Sequence, residues 1–276
     1  MAIKIAVCNT ERGGLADPER SSLIAQKLLQ LDADAVVITE AFNDGDEEQF
    51  DTLQVALERL QDAGYEPRLQ RNQDTDGRLD RRGTVVLNRI AAKEPYAVDM
   101  VTRKAIGWSL QDPETGAFIE LAAPHLDDRS PVTRLGQVAA LMGWAADWPG
   151  PKVIAGDLNQ PYYNDPGARL LRAIRPAARM IPREEPGLER SRLTRLGSVL
   201  FRLTDTAKSP LMEHFAVAGL IDADPQHQPT LVHGPLKLQI DHILHSQELQ
   251  ATAFGVHDIL DGLTDHKTIS ATLNVQ

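Results

Sequence analysis

Carboxylates, amides and imidazoles recur at the ends of apolar runs in this chain. Ile-Ala-Val-Cys-Asn ends at Asn9, Val-Val-Ile-Thr-Glu ends at Glu40, and Val-Ile-Ala-Gly-Asp-Leu-Asn carries Asp157 and Asn159. Gln-Ile-Asp-His-Ile-Leu carries Asp241 and His242, and Leu-Thr-Asp-His carries Asp265 and His266. Unpaired polar groups are expensive to bury, by several kcal/mol each for isolated charges, so strand ends of this kind need a common partner. Converging on one sheet edge, the groups can pool around a cation that offsets their mutual repulsion. Oxygen donors without a thiolate cluster favour a hard ion, Mg2+ or Mn2+, over Zn2+.

The elements that must position these groups can be read along the chain. Ile3 to Val7 reads as a buried strand. Asp17-Pro18 supplies an N-cap followed by proline at the first helical position, opening a helix with Leu23, Ile24, Leu28 and Leu31. Ala35 to Thr39 is the next strand. Phe50, Leu53, Leu57 and Leu60 follow the spacing of an amphipathic helix that stops near Gly64. Thr84 to Leu87 is a strand, and Ile106 to Leu110 with Phe118 to Ala122 form a hairpin across Pro113-Glu114-Thr115-Gly116. Ser130-Pro131 opens another helix, with Leu135, Val138, Leu141 and Met142 expected to face inward. Further strands are expected at Lys152 to Ala155, Leu238 to Leu244, Thr252 to Val256 and Thr268 to Leu273. Helices alternate with strands at first, but the hairpins exclude a purely parallel doubly wound sheet. The expected architecture is α/β, with two mixed sheets packed face to face and helices outside. No Pro- or Gly-rich linker divides the 276 residues, so one domain over 1–276 is expected, carrying an Arg-rich insertion at about 165–208.

Hydrophobic residues make up 42% of the chain and charged residues 25%, as in ordinary globular proteins. No apolar run approaches the ~18 residues of a membrane span, and the chain opens directly on a strand, so no membrane association is expected. The single cysteine, Cys8, lies in the first apolar run as a core residue and has no partner for an internal disulfide, which fits a cytoplasmic location. The net charge of -10 argues against indiscriminate binding to polyanions. Between Asp165 and Lys208, however, ten basic residues face five acidic ones, a local balance of +5 against -15 elsewhere. That stretch is either a solvated Arg-rich surface or a landing strip for phosphates.

Taken in order, Asn9, Glu40, His125-Leu126, Gly156-Asp157-Leu158-Asn159, Asp241-His242-Ile243-Leu244 and Asp265-His266 resemble the endonuclease/exonuclease/phosphatase superfamily, the DNase I-like proteins. The resemblance implies a four-layer sandwich and phosphoester hydrolysis. It implies that Glu40 is the principal metal-binding carboxylate, assisted by Asn9, with Glu11 and Asp265 as further acidic groups of the metal cluster. It implies that Asp157 orients or deprotonates the attacking water and that Asn159 holds phosphate and water. His266 would contact the scissile phosphate with Asp241 as its carboxylate partner, and His125 would contact phosphate and help the leaving group. His242 stands where relatives frequently carry Tyr, Thr39 where they commonly carry Gln, and Lys237 and Gln239 replace an Arg often found there. The remaining histidines, His214, His227, His233, His245 and His257, have no metal-ligand spacing and read as surface or packing residues.

Phosphodiester hydrolysis needs a positioned water, a polarising cation and stabilisation of the departing alkoxide. The leading expectation is a metal-dependent phosphodiesterase acting on nucleic acid, a nuclease, with Arg81, Arg82, Arg169, Arg172 and Arg175 gripping the backbone. The alternative is the same chemistry on a small or lipid-linked phosphate ester, which the acidic net charge suits. A scaffold with a relic site fits poorly, because every chemical position is filled. No protein partner is evident.

Overall fold

The computed structural model describes residues 2–10, 18–41, 47–73, 79–128, 130–161, 168–171, 173, 211–233, 236–260 and 263–276. Asp17, Glu11, Arg172, Arg175 and most of the stretch from 165 to 208 lie outside the described residues, as do the side chains of Arg81 and Arg82. Two mixed six-stranded sheets face each other. The first contains β1 (Ile3–Asn9), β2 (Ala35–Thr39), β3 (Glu66–Gln73), β4 (Leu79–Asn88), β13 (Leu249–His257) and β14 (Thr268–Val275), in the order β13-β14-β1-β2-β4-β3. The second contains β5 (Tyr96–Met100), β6 (Arg103–Gln111), β7 (Phe118–Ala123), β8 (Lys152–Asp157), β9 (Ile221–Asp222) and β12 (Asp241–His245), in the order β5-β6-β7-β8-β12-β9. β10 (Leu231–His233) and β11 (Leu236–Leu238) form a separate two-stranded hairpin.

Strand side chains alternate between faces, and the core divides along that alternation. Ile3, Ile5 and Val7 of β1 join Trp108, Leu121, Val153 and Ile243 in the layer between the sheets. Ala6 and Cys8, on the other face of β1, pack beneath helices α1 (Pro18–Gln30) and α2 (Glu47–Asp62) with Ile24, Leu28, Leu57 and Leu60. Ala122, Ile154 and Leu244 pack on the outer face of the second sheet against α3 (Pro131–Asp147) and α4 (Leu211–Val217), which contribute Val138, Leu141 and Phe215. Each fully buried Leu, Ile or Val contributes about 1.5–3 kcal/mol.

The Ser130 hydroxyl caps α3 by accepting the Thr133 N–H at 3.1 Å, with Pro131 at the first helical position. Its inward face carries Val138 and Leu141 as expected but not Leu135. Leu135 is 49% exposed, whereas Arg134 and Gln137 are buried. The reason is the loop before the helix, whose polar backbone these side chains satisfy. Gln137 Oε1 accepts the Asp127 N–H at 2.8 Å, and Arg134 Nη1 donates to the Asp127 carbonyl at 2.6 Å. The expected strand from Leu238 to Leu244 is also broken. The Thr230 hydroxyl takes the N–H groups of Ile240 and Asp241 at 3.0 and 3.1 Å, so β11 ends at Leu238 and β12 starts at Asp241. β3 and β5 had no clear apolar signature because they lie on sheet edges.

Candidate active site

One edge of the sandwich gathers the polar strand ends. β1 and β2 run parallel with Asn9 opposite Thr39, so Asn9 and Glu40 emerge side by side. β14 is antiparallel to β1 with Val7 opposite Ile269, which brings Asp265 and His266, just ahead of β14, to the same edge. In the second sheet Asp157, the last residue of β8, pairs with Asp241, the first of the antiparallel β12. His125 forms an isolated parallel bridge with Asp157 on its other side. Register alone therefore places His125, Asp157 and Asp241 in a row.

Asp157 is the centre of this constellation and is 1% exposed. Asn9 Nδ2 donates to Asp157 Oδ2 at 2.8 Å, and the Asn159 backbone N–H donates to Oδ1 at 2.8 Å. Burial, together with the neighbouring Asp241 charge, pushes its carboxyl up to about 7. His266 Nδ1 donates to Asp241 Oδ2 at 2.9 Å, and Nε2 lies 3.8 Å from Asp265 Oδ1. Burial alone would lower the His266 imidazole, but the charge and hydrogen bond of Asp241, aided by Asp157 and Asp265, raise it to about 10. His266 is accordingly held as an imidazolium at neutral pH by the carboxylates around it.

Glu40 and Asn159 both hold left-handed backbone conformations, with φ of +51° and +50°. Such conformations are uncommon for residues with a Cβ and are retained where neighbours enforce them. The Thr10 hydroxyl donates to the Glu40 carbonyl at 3.0 Å, and Asn159 Nδ2 donates to the Leu126 carbonyl at 2.9 Å. His125 Nε2 stands 3.9 Å from Glu40 Oε1 and 3.8 Å from Asp157 Oδ2. The His125 ring has no exposed surface, so it lies against these two carboxylates rather than at a surface open to an incoming phosphate.

Three residues support this constellation, of which Arg103 and Thr230 were not singled out from sequence. Arg103, buried at the start of β6, donates Nη1 to the His125 and Leu126 carbonyls, each at 3.1 Å. Thr230 fixes the start of β12 as described above. Gly156 allows β8 to approach the loop carrying His125, because a Cβ there would overlap the Pro124 carbonyl oxygen. Nothing local marked Arg103, one of a basic pair with Lys104, or Thr230. Arg169, expected to bind substrate, is exposed among the described residues.

The donor set suits a hard divalent cation. Among the described residues, Asp157, Asp241 and His266 form the compact group whose donor atoms lie within 4.8 Å of one another. A protonated His266 cannot donate a lone pair, so this triad reads as a charge network bordering the cation rather than its full ligand set. Asp241 Oδ1 is buried without a hydrogen-bond partner among the described residues, and Asp157 resists ionisation. Both observations fit a site completed by positive charge. Glu40, whose side chain is 13% exposed, remains reachable from solvent.

A model of the endonuclease/exonuclease/phosphatase family matches residues 7–266. No curated protein matches the sequence significantly. Among solved structures, the endonuclease/exonuclease/phosphatase from Bacteroides vulgatus is similar with a TM-score of 0.67 and 14% identity, covering 100% of both chains. The human Nocturnin catalytic domain, solved with a bound sulfate anion, has a TM-score of 0.63 and 16% identity over 100% of this chain and 94% of that one. The mannosyl-6-phosphatase of Bacteroides thetaiotaomicron has a TM-score of 0.62 and 14% identity over 99% of both.

Proposed function

The chain belongs to the endonuclease/exonuclease/phosphatase family, a family of hydrolytic phosphoesterases, and from that premise we propose that it is a Mg2+- or Mn2+-dependent phosphodiesterase acting on nucleic acid. The observation that carries the phosphoesterase reading is the His266 imidazolium, clamped by Asp241 at 2.9 Å, beside the buried Asp157 carboxylate. A phosphoryl group entering this edge meets a fixed positive charge and a base within one constellation.

Asn9, Glu40 and Asp265, with Glu11, would hold the cation, which supplies Lewis acidity at the phosphoryl oxygens when bound. Asp157 orients a water and accepts its proton as the oxygen attacks phosphorus. A carboxyl raised towards neutrality is matched to that task. Asn159 holds the phosphate and water, and His266 stabilises charge building on the phosphoryl oxygens. Asp241 fixes the His266 ring, and the His125 ring stands against Glu40 and Asp157. The phosphorus–oxygen ester bond breaks, and the departing alkoxide takes a proton from solvent.

The preference for nucleic acid rests on the +5 balance between Asp165 and Lys208, which leaves the chain directly after Asn159. The net charge of -10 supports a second reading, a small phosphate ester as substrate. A hydrolysis panel with and without chelator separates them: plasmid DNA, single strands, RNA, a chromogenic diester and sugar phosphates. Metal-dependent cleavage of polynucleotides supports the proposal. Cleavage confined to small esters moves the assignment to the second reading, and no hydrolysis of any ester rejects both.

A further inference from the structure

A second buried carboxylate–imidazole pair lies behind the site. His242 follows Asp241 on β12, so the two side chains leave opposite faces of the strand. The His242 ring is wholly buried. Its Nδ1 is 2.9 Å from Asp222 Oδ2, and its Nε2 is 3.0 Å from the Gln160 carbonyl oxygen. A carboxylate and a carbonyl both accept, so the ring donates from both nitrogens.

Asp222 is itself fixed. Gln239 Nε2 donates to its Oδ2 at 3.2 Å, and the Asp224 N–H donates to its Oδ1 at 2.9 Å. The consequence falls on Gln160, which directly follows Asn159. Asn159 is therefore anchored on both sides. Its own Nδ2 reaches the Leu126 carbonyl that Arg103 also grips, while the Gln160–Pro161 peptide, one residue further on, is held by His242. These anchors bracket a residue with φ of +50°, a conformation that relaxes readily when unsupported.

We propose that His242, oriented by Asp222, is a positioning residue for ester hydrolysis: by holding the Gln160 carbonyl it keeps Asn159 in the left-handed conformation that sets its backbone N–H on Asp157 and its side-chain amide on the Leu126 carbonyl. The inference rests on the reading of Asn159 as the group that holds phosphate and water. A purely structural pair would instead lower stability without a specific link to Asn159.

The test is a double-mutant cycle in single-turnover hydrolysis of a chromogenic phosphodiester with Mn2+, on full-length protein whose folding is checked by circular dichroism. His242→Phe should lower kcat at least ~10-fold with KM within about 3-fold, the split expected when a transition-state contact is displaced. In an Asn159→Ala background the same change should add less than a 2-fold loss, because the residue being positioned is already gone. Asp222→Asn, a milder change, should follow the same non-additive pattern and carries the test where His242→Phe does not fold. Losses that multiply in the Asn159→Ala background, or wild-type kcat in both His242→Phe and Asp222→Asn, overturn the inference alone. A wild type that hydrolyses no phosphate ester overturns the reading of the site and this inference with it.

Discussion

Asn9 and Asp157, 148 residues apart in sequence, meet at 2.8 Å and tie the end of β1 in one sheet to the end of β8 in the other. The bond is buried, so its loss leaves a carboxylate with one fewer donor in a site that already disfavours its charge. Asn9→Ala should destabilise the fold by about 1–3 kcal/mol in urea denaturation. It should also raise the Asp157 carboxyl further, moving the acid limb of the pH–rate profile to higher pH. An unmoved limb would show that Asn9 does not tune Asp157.

His266 gives a pH dependence of stability with a definite sign. Its folded-state value of about 10 lies above the ordinary 6.5. The folded state therefore binds the proton more tightly than the unfolded chain does, and the associated stability is complete below about pH 6.5 and lost as pH rises through about 10. The unfolding free-energy difference between wild type and His266→Gln should shrink between pH 7 and 10. A difference independent of pH across that window rejects the Asp241–His266 ion pair.

Cation binding should stabilise the protein as well as activate it. Mg2+ or Mn2+ should raise Tm, by an amount that grows with the logarithm of metal concentration above Kd. The effect should weaken as pH falls below about 7, where Asp157 takes up a proton and the edge loses negative charge. Chelator should abolish turnover. Full turnover in chelated buffer would remove the metal from the chemistry.

Gly156 and Gly143 offer a paired test of backbone approach. A Cβ at Gly156 would overlap the Pro124 carbonyl, while at Gly143 on α3 nothing lies within 4 Å. Gly156→Ala should destabilise by roughly 1–3 kcal/mol and displace Asp157, lowering kcat. Gly143→Ala should leave kcat unchanged and stabilise by up to about 1 kcal/mol through helix propensity. Equal thermal stability of the two variants would contradict the tight β8–Pro124 contact.

The substrate class should be visible in salt dependence. Replacing Arg169, Arg172 and Arg175 together with Gln should weaken oligonucleotide binding and flatten the log–log salt slope by roughly one unit per lost phosphate contact. Turnover at saturating substrate should change little, because these side chains are proposed to bind rather than react. An unchanged slope assigns the arginines to solvated surface and favours a small phosphate ester.

Much of the frame was legible because its signals are local. The Ser130-Pro131 cap, the apolar runs of β1, β2 and β8, and the hairpin of β6 and β7 all follow from neighbours a few residues apart. β3, Glu66–Gln73, was not legible, since an edge strand of charged and polar residues has no apolar face to announce it. Leu135 was misplaced for a different reason. Periodicity cannot tell that a loop needs Arg134 and Gln137 to satisfy its peptides, which turns their side chains inward and leaves Leu135 exposed.

The chemistry divides the same way. The sequence by itself determined which groups stand at the strand ends, their order along the chain and the family they indicate. It also set Asp241 beside His242 and Asp265 beside His266, and the family resemblance implied Asp241 as the partner of His266. Tertiary structure makes the His266–Asp241 bond, and it alone decided that His242 bonds Asp222. Consecutive residues of a strand face opposite ways, so Asp241 and His242 cannot share a side. Their partners are instead chosen by strand register and sheet packing, which bring residues 20 and 25 positions away to within 2.9 Å.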